Sequence, residues 1–147
     1  MSHISFSEIK NWNQCAYYHK LTYIDKLKGF EGNLYTAFGS ALHTVCEKIV
    51  IKDIKDKKSL FQLSFSNEIN NLPKTIQENI NTKMVSDMRR QGDMLVDLIL
   101  PQLKKSFEKF EVVSVEEKIY EPIENHDRKF KGFIDLVIKT EDGKYHV

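Results

Sequence analysis

The sequence predicts an α+β domain in which N-terminal helices are followed by a largely antiparallel β meander. Apolar residues recur at intervals of three and four as far as Phe110, which is the spacing of amphipathic helices. After Phe110 apolar and polar residues alternate, which is typical of strands. A chain of 147 residues is long enough to bury one hydrophobic core, so a single domain is expected over residues 1–147.

Two short helices are predicted near the N-terminus. Ser5 and Glu8 have the spacing of a capping box, in which a serine side chain caps the start of a helix. Helical spacing continues to Ile24 and is interrupted near Asn13 and Gln14, so the first helix is expected to end there.

Two longer helices are predicted next, over residues 34–51 and 82–110. Pro101 should kink the second of them, because proline lacks a backbone donor and crowds the preceding turn. Residues 53–82 are polar and rich in lysine and asparagine, which predicts short helices joined by loops.

The predicted meander contains two strands and the start of a third. On regular alternation, residues 113, 115, 117 and 119 form one face of the first strand, and Glu116 lies on the other. A turn near residues 125–127 leads to the second strand, FKGFIDLVI, and Asp142-Gly143 forms a tight hairpin into the third.

Composition leaves the class of partner open. The 22 basic residues nearly balance the 21 acidic ones, and residues 111–147 are net acidic, which is the wrong sign for binding phosphate unless a cation lies there. Cys15 and Cys46 form no spaced framework. The sequence has no signal peptide and no apolar run of transmembrane length, so we expect a soluble cytoplasmic protein with no membrane partner.

Asp135 is the first candidate for a functional residue. It interrupts an apolar strand whose two faces both read as buried, and an ionised carboxylate there is costly without a cation or several donors. Mg²⁺ or Mn²⁺, which prefer carboxylate oxygens, would meet that need. The alternative is a carboxylate satisfied by backbone donors or by an arginine.

Two further residues add to the case for a metal. Glu117 replaces an apolar residue on the predicted inward face of the neighbouring strand, although a solvated strand face explains it as well. His43 follows Gly39, Ser40 and Ala41, whose small side chains would let the helix approach another backbone closely and present the imidazole at a crevice. A structural or solvated histidine is the alternative. Three basic residues of the long helix either contact phosphates or form a solvated face: Lys83, Arg89 and Arg90.

Four ordered segments resemble the RecB-type branch of the PD-(D/E)XK nuclease superfamily. They are HISFSEIKNWNQCAYYHKLTYIDKL, AFGSALH, VEEKIYEPI and FKGFIDLVI, and the resemblance covers about residues 3–47 and 112–140. It implies an α/β core like that of restriction endonucleases.

The resemblance also implies roles for individual residues. His43 matches the family's metal-binding histidine and Asp135 its first metal-binding aspartate, while Glu117 matches the acid of the preceding strand, with Glu116 as the other register. A second acid and a lysine are expected on the strand after FKGFIDLVI, so the chain is expected to be truncated before this D/E-x-K motif. Cys15 matches the first of four cysteines that bind an iron–sulfur cluster in some relatives, but the other three have no counterpart, which argues against a cluster in this chain.

The activity implied is hydrolysis of DNA phosphodiester bonds by a Mg²⁺- or Mn²⁺-dependent deoxyribonuclease. Relatives are often exonucleases of DNA repair, recombination or phage replication, some with a helicase partner. This chain would then be a nuclease domain that is catalytically incomplete at 147 residues. The alternative is a non-catalytic DNA-binding or assembly module with the same fold.

Overall fold

The structure is a computed structural model that describes residues 3–27, 29–52 and 54–147. Helices and strands follow one another along the chain as β1 (His3–Ser5), α1 (Phe6–Gln14), α2 (Ala16–His19), a π-helical turn (Lys20–Ile24), α3 (Leu34–Ile51), α4 (Lys57–Asn70), α5 (Lys74–Gln77), α6 (Thr82–Phe107), β2 (Phe110–Pro122), β3 (Lys129–Thr140) and β4 (Tyr145–His146). In the described ranges no helix is both long and apolar enough to cross a membrane.

The helix boundaries follow the local signals in the sequence. Ser5 caps α1 by accepting a hydrogen bond from the Glu8 N–H at 3.0 Å, and α1 ends at Gln14, as the interrupted spacing predicts. Helix α6 continues through Pro101 to Phe107. A turn at Gly143, with a φ of 82°, closes the predicted hairpin between β3 and β4.

The sheet confirms the α+β class but is mixed. Strand β3 pairs with β2 and β4 in the predicted antiparallel sense. It also pairs in parallel with β1, which lies before all the helices and was not predicted. A strand of three residues is too short for alternation to be recognised, because a single period spans two residues.

The hydrophobic core lies between α3, α4 and α6. Phe61 and Phe65 of α4 are fully buried and stack with ring centroids 5.7 Å apart. Phe38 of α3 meets both rings edge to face at 5.7 and 5.6 Å. These contacts hold α3 against α4.

Gly92 allows α6 to approach the Phe61 ring. A Cβ atom at Gly92 would lie 2.0 Å from that fully buried ring, whereas a Cβ atom at the exposed Gly39 of α3 would meet nothing within 4 Å. Overpacking a core costs about 1–3 kcal/mol, and alanine gains about 1 kcal/mol over glycine in an unobstructed helix.

We therefore expect Gly92→Ala to lower the free energy of unfolding and Gly39→Ala to raise it. Urea denaturation of the two variants beside the parent chain measures both changes. Stabilisation by Gly92→Ala would show that the Phe61 ring moves aside without cost.

Candidate metal centre

Helix α3 carries His43 from the helical core toward the sheet. At the helix start the Asn33 side chain accepts from the Thr36 N–H at 3.0 Å, and the Thr36 hydroxyl oxygen accepts from the Asn33 N–H at 2.9 Å. One side of α3 is buried, through Leu34, Ala37, Ala41, Val45 and Ile49. His43 is two residues away from Ala41, a rotation of about 200° around the helix, so its side chain leaves the core. The imidazole is 45% exposed.

The small residues before His43 do not have the predicted role. Gly39 and Ser40 are exposed, and nothing lies within 4 Å of a Cβ atom built on Gly39. Ala41 is fully buried in the helical core. The position of His43 therefore depends on burial of the opposite side of α3 and not on close approach of a second backbone at Gly39.

Strands β2 and β3 place Glu116 opposite Asp135. Val115 pairs with Leu136 and Glu117 pairs with Ile134, so Glu116 faces Asp135 across the two strands. Directly opposite residues in an antiparallel pair have their side chains on the same face of the sheet. Glu116 has a left-handed backbone, with a φ of 51°.

This register brings Glu116, and not the predicted Glu117, to the candidate site. The Glu117 carboxylate instead accepts a hydrogen bond from the Ser114 hydroxyl at 2.6 Å. The register shifts between Val112 and Ser114, where β2 contains one extra residue. Such a bulge interrupts the alternation of faces. Counting inward positions from Val113, which is 49% exposed, therefore selects Glu117, whereas the structure places Glu116 beside His43 and Asp135.

His43, Glu116 and Asp135 converge on one small volume. One potential ligand atom from each residue lies within 4.8 Å of those from the other two. His43 Nε2 is 2.7 Å from Glu116 Oε1 and 2.9 Å from Glu47 Oε1. Sequence analysis missed Glu47, although its position four residues after His43 on a helix is a signal that two side chains share a face.

The hydrogen bond with Glu116 raises the pKa of His43 above its ordinary value. Burial of the ring acts against that increase, while the charges of Glu47, Asp135 and Glu116 add to it. The cluster therefore attracts positive charge, which is supplied either by a proton on the imidazole or by a metal ion.

Asp135 is exposed, which corrects the expectation that it is buried on both faces of the strand. Among the described residues no polar or charged residue is buried, and Ile138 is the buried residue of β3. The prediction that Asp135 needs a cation because its carboxylate is buried is therefore wrong. Proximity to His43 and Glu116 is the observation that favours a metal.

The donor set fits a divalent cation. Two carboxylates suit Mg²⁺ and Mn²⁺, and a neutral imidazole is a ligand for Mn²⁺ and for later transition metals. A crevice of about 90 Å³ adjoins His43 and Asp135. It is lined by His43, Cys46, Glu47, Val50, Val115, Asp135 and Leu136.

The other predicted site residues lie elsewhere in the structure. Cys15 is exposed at the start of α2, where its sulfur accepts from the Tyr18 N–H at 3.5 Å. Arg89 links α6 to α4 by donating hydrogen bonds to the Gln62 side chain and to the Ser66 hydroxyl. A phosphate contact at Arg89 stays a prediction.

The two remaining basic candidates lie on the surface of α6. Arg90 pairs with Asp87 at 2.6 Å, and Lys83 is exposed near the helix start. Helix α6 packs against α3 and α4, whereas the candidate metal centre lies where α3 meets β2 and β3.

Fold and site together define an α+β protein with a candidate divalent-metal centre at the junction of a helix and a mixed sheet. Comparison with protein families gives a match to the PD-(D/E)XK nuclease superfamily over residues 3–147, and the chain belongs to this superfamily. Its nucleases use divalent metal ions. A comparison with curated proteins gave no match.

Proposed function

We propose that this chain is the metal-binding domain of a Mg²⁺- or Mn²⁺-dependent deoxyribonuclease of the RecB-type branch, acting as an exonuclease in DNA repair, recombination or phage replication. The observation that carries the proposal is the convergence of His43, Glu116 and Asp135 within 4.8 Å. These residues come from α3, β2 and β3, so the fold, and not local sequence, brings them together.

Each residue has a defined part in the proposal. Glu116 and Asp135 would supply carboxylate oxygens, and His43 would supply Nε2 once its proton has left. Glu47 would hold the imidazole ring through its contact with Nε2 in the metal-free protein. A divalent ion held by these groups would polarise a phosphodiester and lower the pKa of an attacking water.

A matched pair of variants tests the assignment of Glu116. We expect Glu116→Gln to weaken Mn²⁺ binding by about 100-fold, since altering even the hydrogen-bond partners of metal ligands costs about 10–100-fold. Glu117→Gln is expected to leave the affinity unchanged, because the Glu117 side chain is bonded to Ser114. Isothermal titration with Mn²⁺ measures both. A large loss with Glu117→Gln alone would assign the site to the other register.

The 147-residue chain by itself is proposed to bind metal without efficient cleavage. In the part of the chain that the structure describes, the residues lining the crevice beside the cluster include no lysine.

The alternative, a non-catalytic DNA-binding or assembly module, is favoured by the same lack of a lysine at the crevice. It differs from the nuclease in requiring no bound metal, because its contacts with DNA would be made by lysine and arginine side chains alone. Mn²⁺ titration is the first discriminating measurement. Absence of Mn²⁺ binding by the parent chain would favour the module over the nuclease.

A further inference from the structure

Beyond Glu116 and Asp135, the same face of strands β2 and β3 carries lysines and aromatic rings. Lys118 pairs with Phe133, Tyr120 pairs with Lys131, and Pro122 pairs with Lys129. These positions lie at intervals of two from Glu116 along β2 and from Asp135 along β3. Their side chains therefore lie on the same face of the sheet as the candidate metal centre. We call this set the lysine–aromatic face: Lys118, Tyr120, Lys129, Lys131 and Phe133.

Positive and negative side chains lie on opposite faces of the β2–β3 ribbon, the antiparallel pair formed by these two strands. Between the cluster and the turn, the lysine–aromatic face carries three lysines and no acid, whereas the opposite face carries Glu117 and Glu121. Although residues 111–147 are net acidic, they include a basic surface that begins at the candidate metal centre.

The lysines of this face lie against its aromatic rings. Lys118 Nζ and Lys129 Nζ are 5.2 and 5.1 Å from the centre of the Tyr120 ring, and Lys131 Nζ is 5.5 Å from that of Phe133. Within the described residues, the ion pairs formed by lysines involve other members of the chain, namely Lys20, Lys58, Lys109 and Lys144. The ammonium groups of the lysine–aromatic face thus remain open to an anionic ligand.

Lys118 and Phe133 of this face are exposed, and its other three residues are half-buried. Phe133 is 53% exposed, and Phe6 beside it is 64% exposed. A groove of about 370 Å³ separates the start of α1 from β3. Its lining comprises Ser5, Phe6, Ser7, Lys131, Gly132 and Phe133.

We propose that the lysine–aromatic face binds single-stranded DNA and directs it to the candidate metal centre. The rings of Tyr120 and Phe133 offer stacking surfaces for unpaired bases, and the three lysines contact the phosphates. A strand rises about 3.3 Å per residue, so the Lys118–Phe133 pair lies about 7 Å from the cluster and Lys129 about 20 Å from it. Stacking requires an unpaired base, so a single strand or a frayed end should bind better than a closed duplex. This inference rests on the proposed nuclease function for its choice of DNA as ligand.

The test measures binding of the intact 147-residue chain to a fluorescent oligothymidylate and to a duplex of equal length, in EDTA. Phe133→Leu keeps an apolar side chain but removes the stacking surface, and we expect about tenfold weaker binding of the single strand. Lys118→Gln/Lys131→Gln should reduce the slope of log affinity against log salt by about 1.4, since each single-strand phosphate contact contributes about 0.7.

Lys74→Gln/Lys105→Gln is the matched control, because it removes the same charge from α5 and α6, where both lysines are exposed. The proposal requires this control to bind with the parent slope. The proposal is overturned if the parent chain binds no single-stranded DNA or prefers the duplex. It is also overturned if the control variant loses as much affinity as Lys118→Gln/Lys131→Gln does. Because EDTA removes divalent ions, this DNA-binding test does not depend on the metal centre. The proposed function is tested separately by Mn²⁺ titration without DNA.

Discussion

Replacing two of the three clustered side chains, in His43→Ala/Asp135→Asn, is expected to abolish detectable Mn²⁺ binding. Only Glu116 would remain of the three groups whose ligand atoms lie within 4.8 Å of one another. Removing a hydrogen-bond partner of a metal ligand lowers metal affinity by about 10–100-fold, and removing a ligand itself should cost at least as much. The Mn²⁺ affinity of the double variant should therefore fall by about 10³-fold or more. Calorimetric titration with Mn²⁺ measures the loss.

The neighbouring turn provides a control of identical chemistry. His126→Ala/Asp127→Asn makes the same two substitutions at exposed positions between β2 and β3. This control should bind Mn²⁺ as tightly as the parent chain does. Equal losses in both variants would mean that the titration reports general surface charge and that α3 and the sheet do not form a metal centre.

Phe61→Ala is expected to destabilise the protein by about 3–5 kcal/mol, the usual cost of truncating a buried phenylalanine. Phe61 is fully buried, stacks on Phe65 and meets Phe38 edge to face. Removing the ring leaves a cavity at the junction of α3, α4 and α6. Urea-induced unfolding, followed by circular dichroism, gives the change in the free energy of unfolding.

Leu63→Ala in the same helix controls for helix propensity and for loss of apolar volume. Leu63 is 62% exposed, so its truncation should change the free energy of unfolding by no more than about 0.5 kcal/mol. If the two variants unfolded at the same urea concentration, the core between α3, α4 and α6 would not be what stabilises the fold.

The sequence was sufficient to predict most of the helices and the antiparallel hairpins, because their signals are local. The spacing of apolar residues gives α3, and Ser5 marks the start of α1. His43 and Asp135 could be nominated as candidates because each is an unusual residue within an otherwise regular element. Their convergence could not be derived from periodicity, since they lie on different elements.

The choice between Glu116 and Glu117 was beyond sequence reasoning for a physical reason. A bulge near Val113 shifts the pairing of β2 by one residue, and one residue is the whole difference between the two faces of a strand. The lysine–aromatic face was missed because regional net charge averages two faces that carry opposite charges. Recognising Lys118 and Lys131 as neighbours of one surface requires the register between β2 and β3.

The left-handed backbone at Glu116 has a thermodynamic consequence. With a φ of 51°, a residue that carries a Cβ atom costs about 1–2 kcal/mol relative to the right-handed conformation, and glycine would relieve that strain. Glycine would also remove the carboxylate, so under the proposed function glutamate is kept at this position at the expense of the stability of the metal-free fold. A cation that binds only the folded chain offsets such a cost by mass action. The metal-free protein is thus a strained reference state, and the melting temperature should rise with the Mn²⁺ concentration.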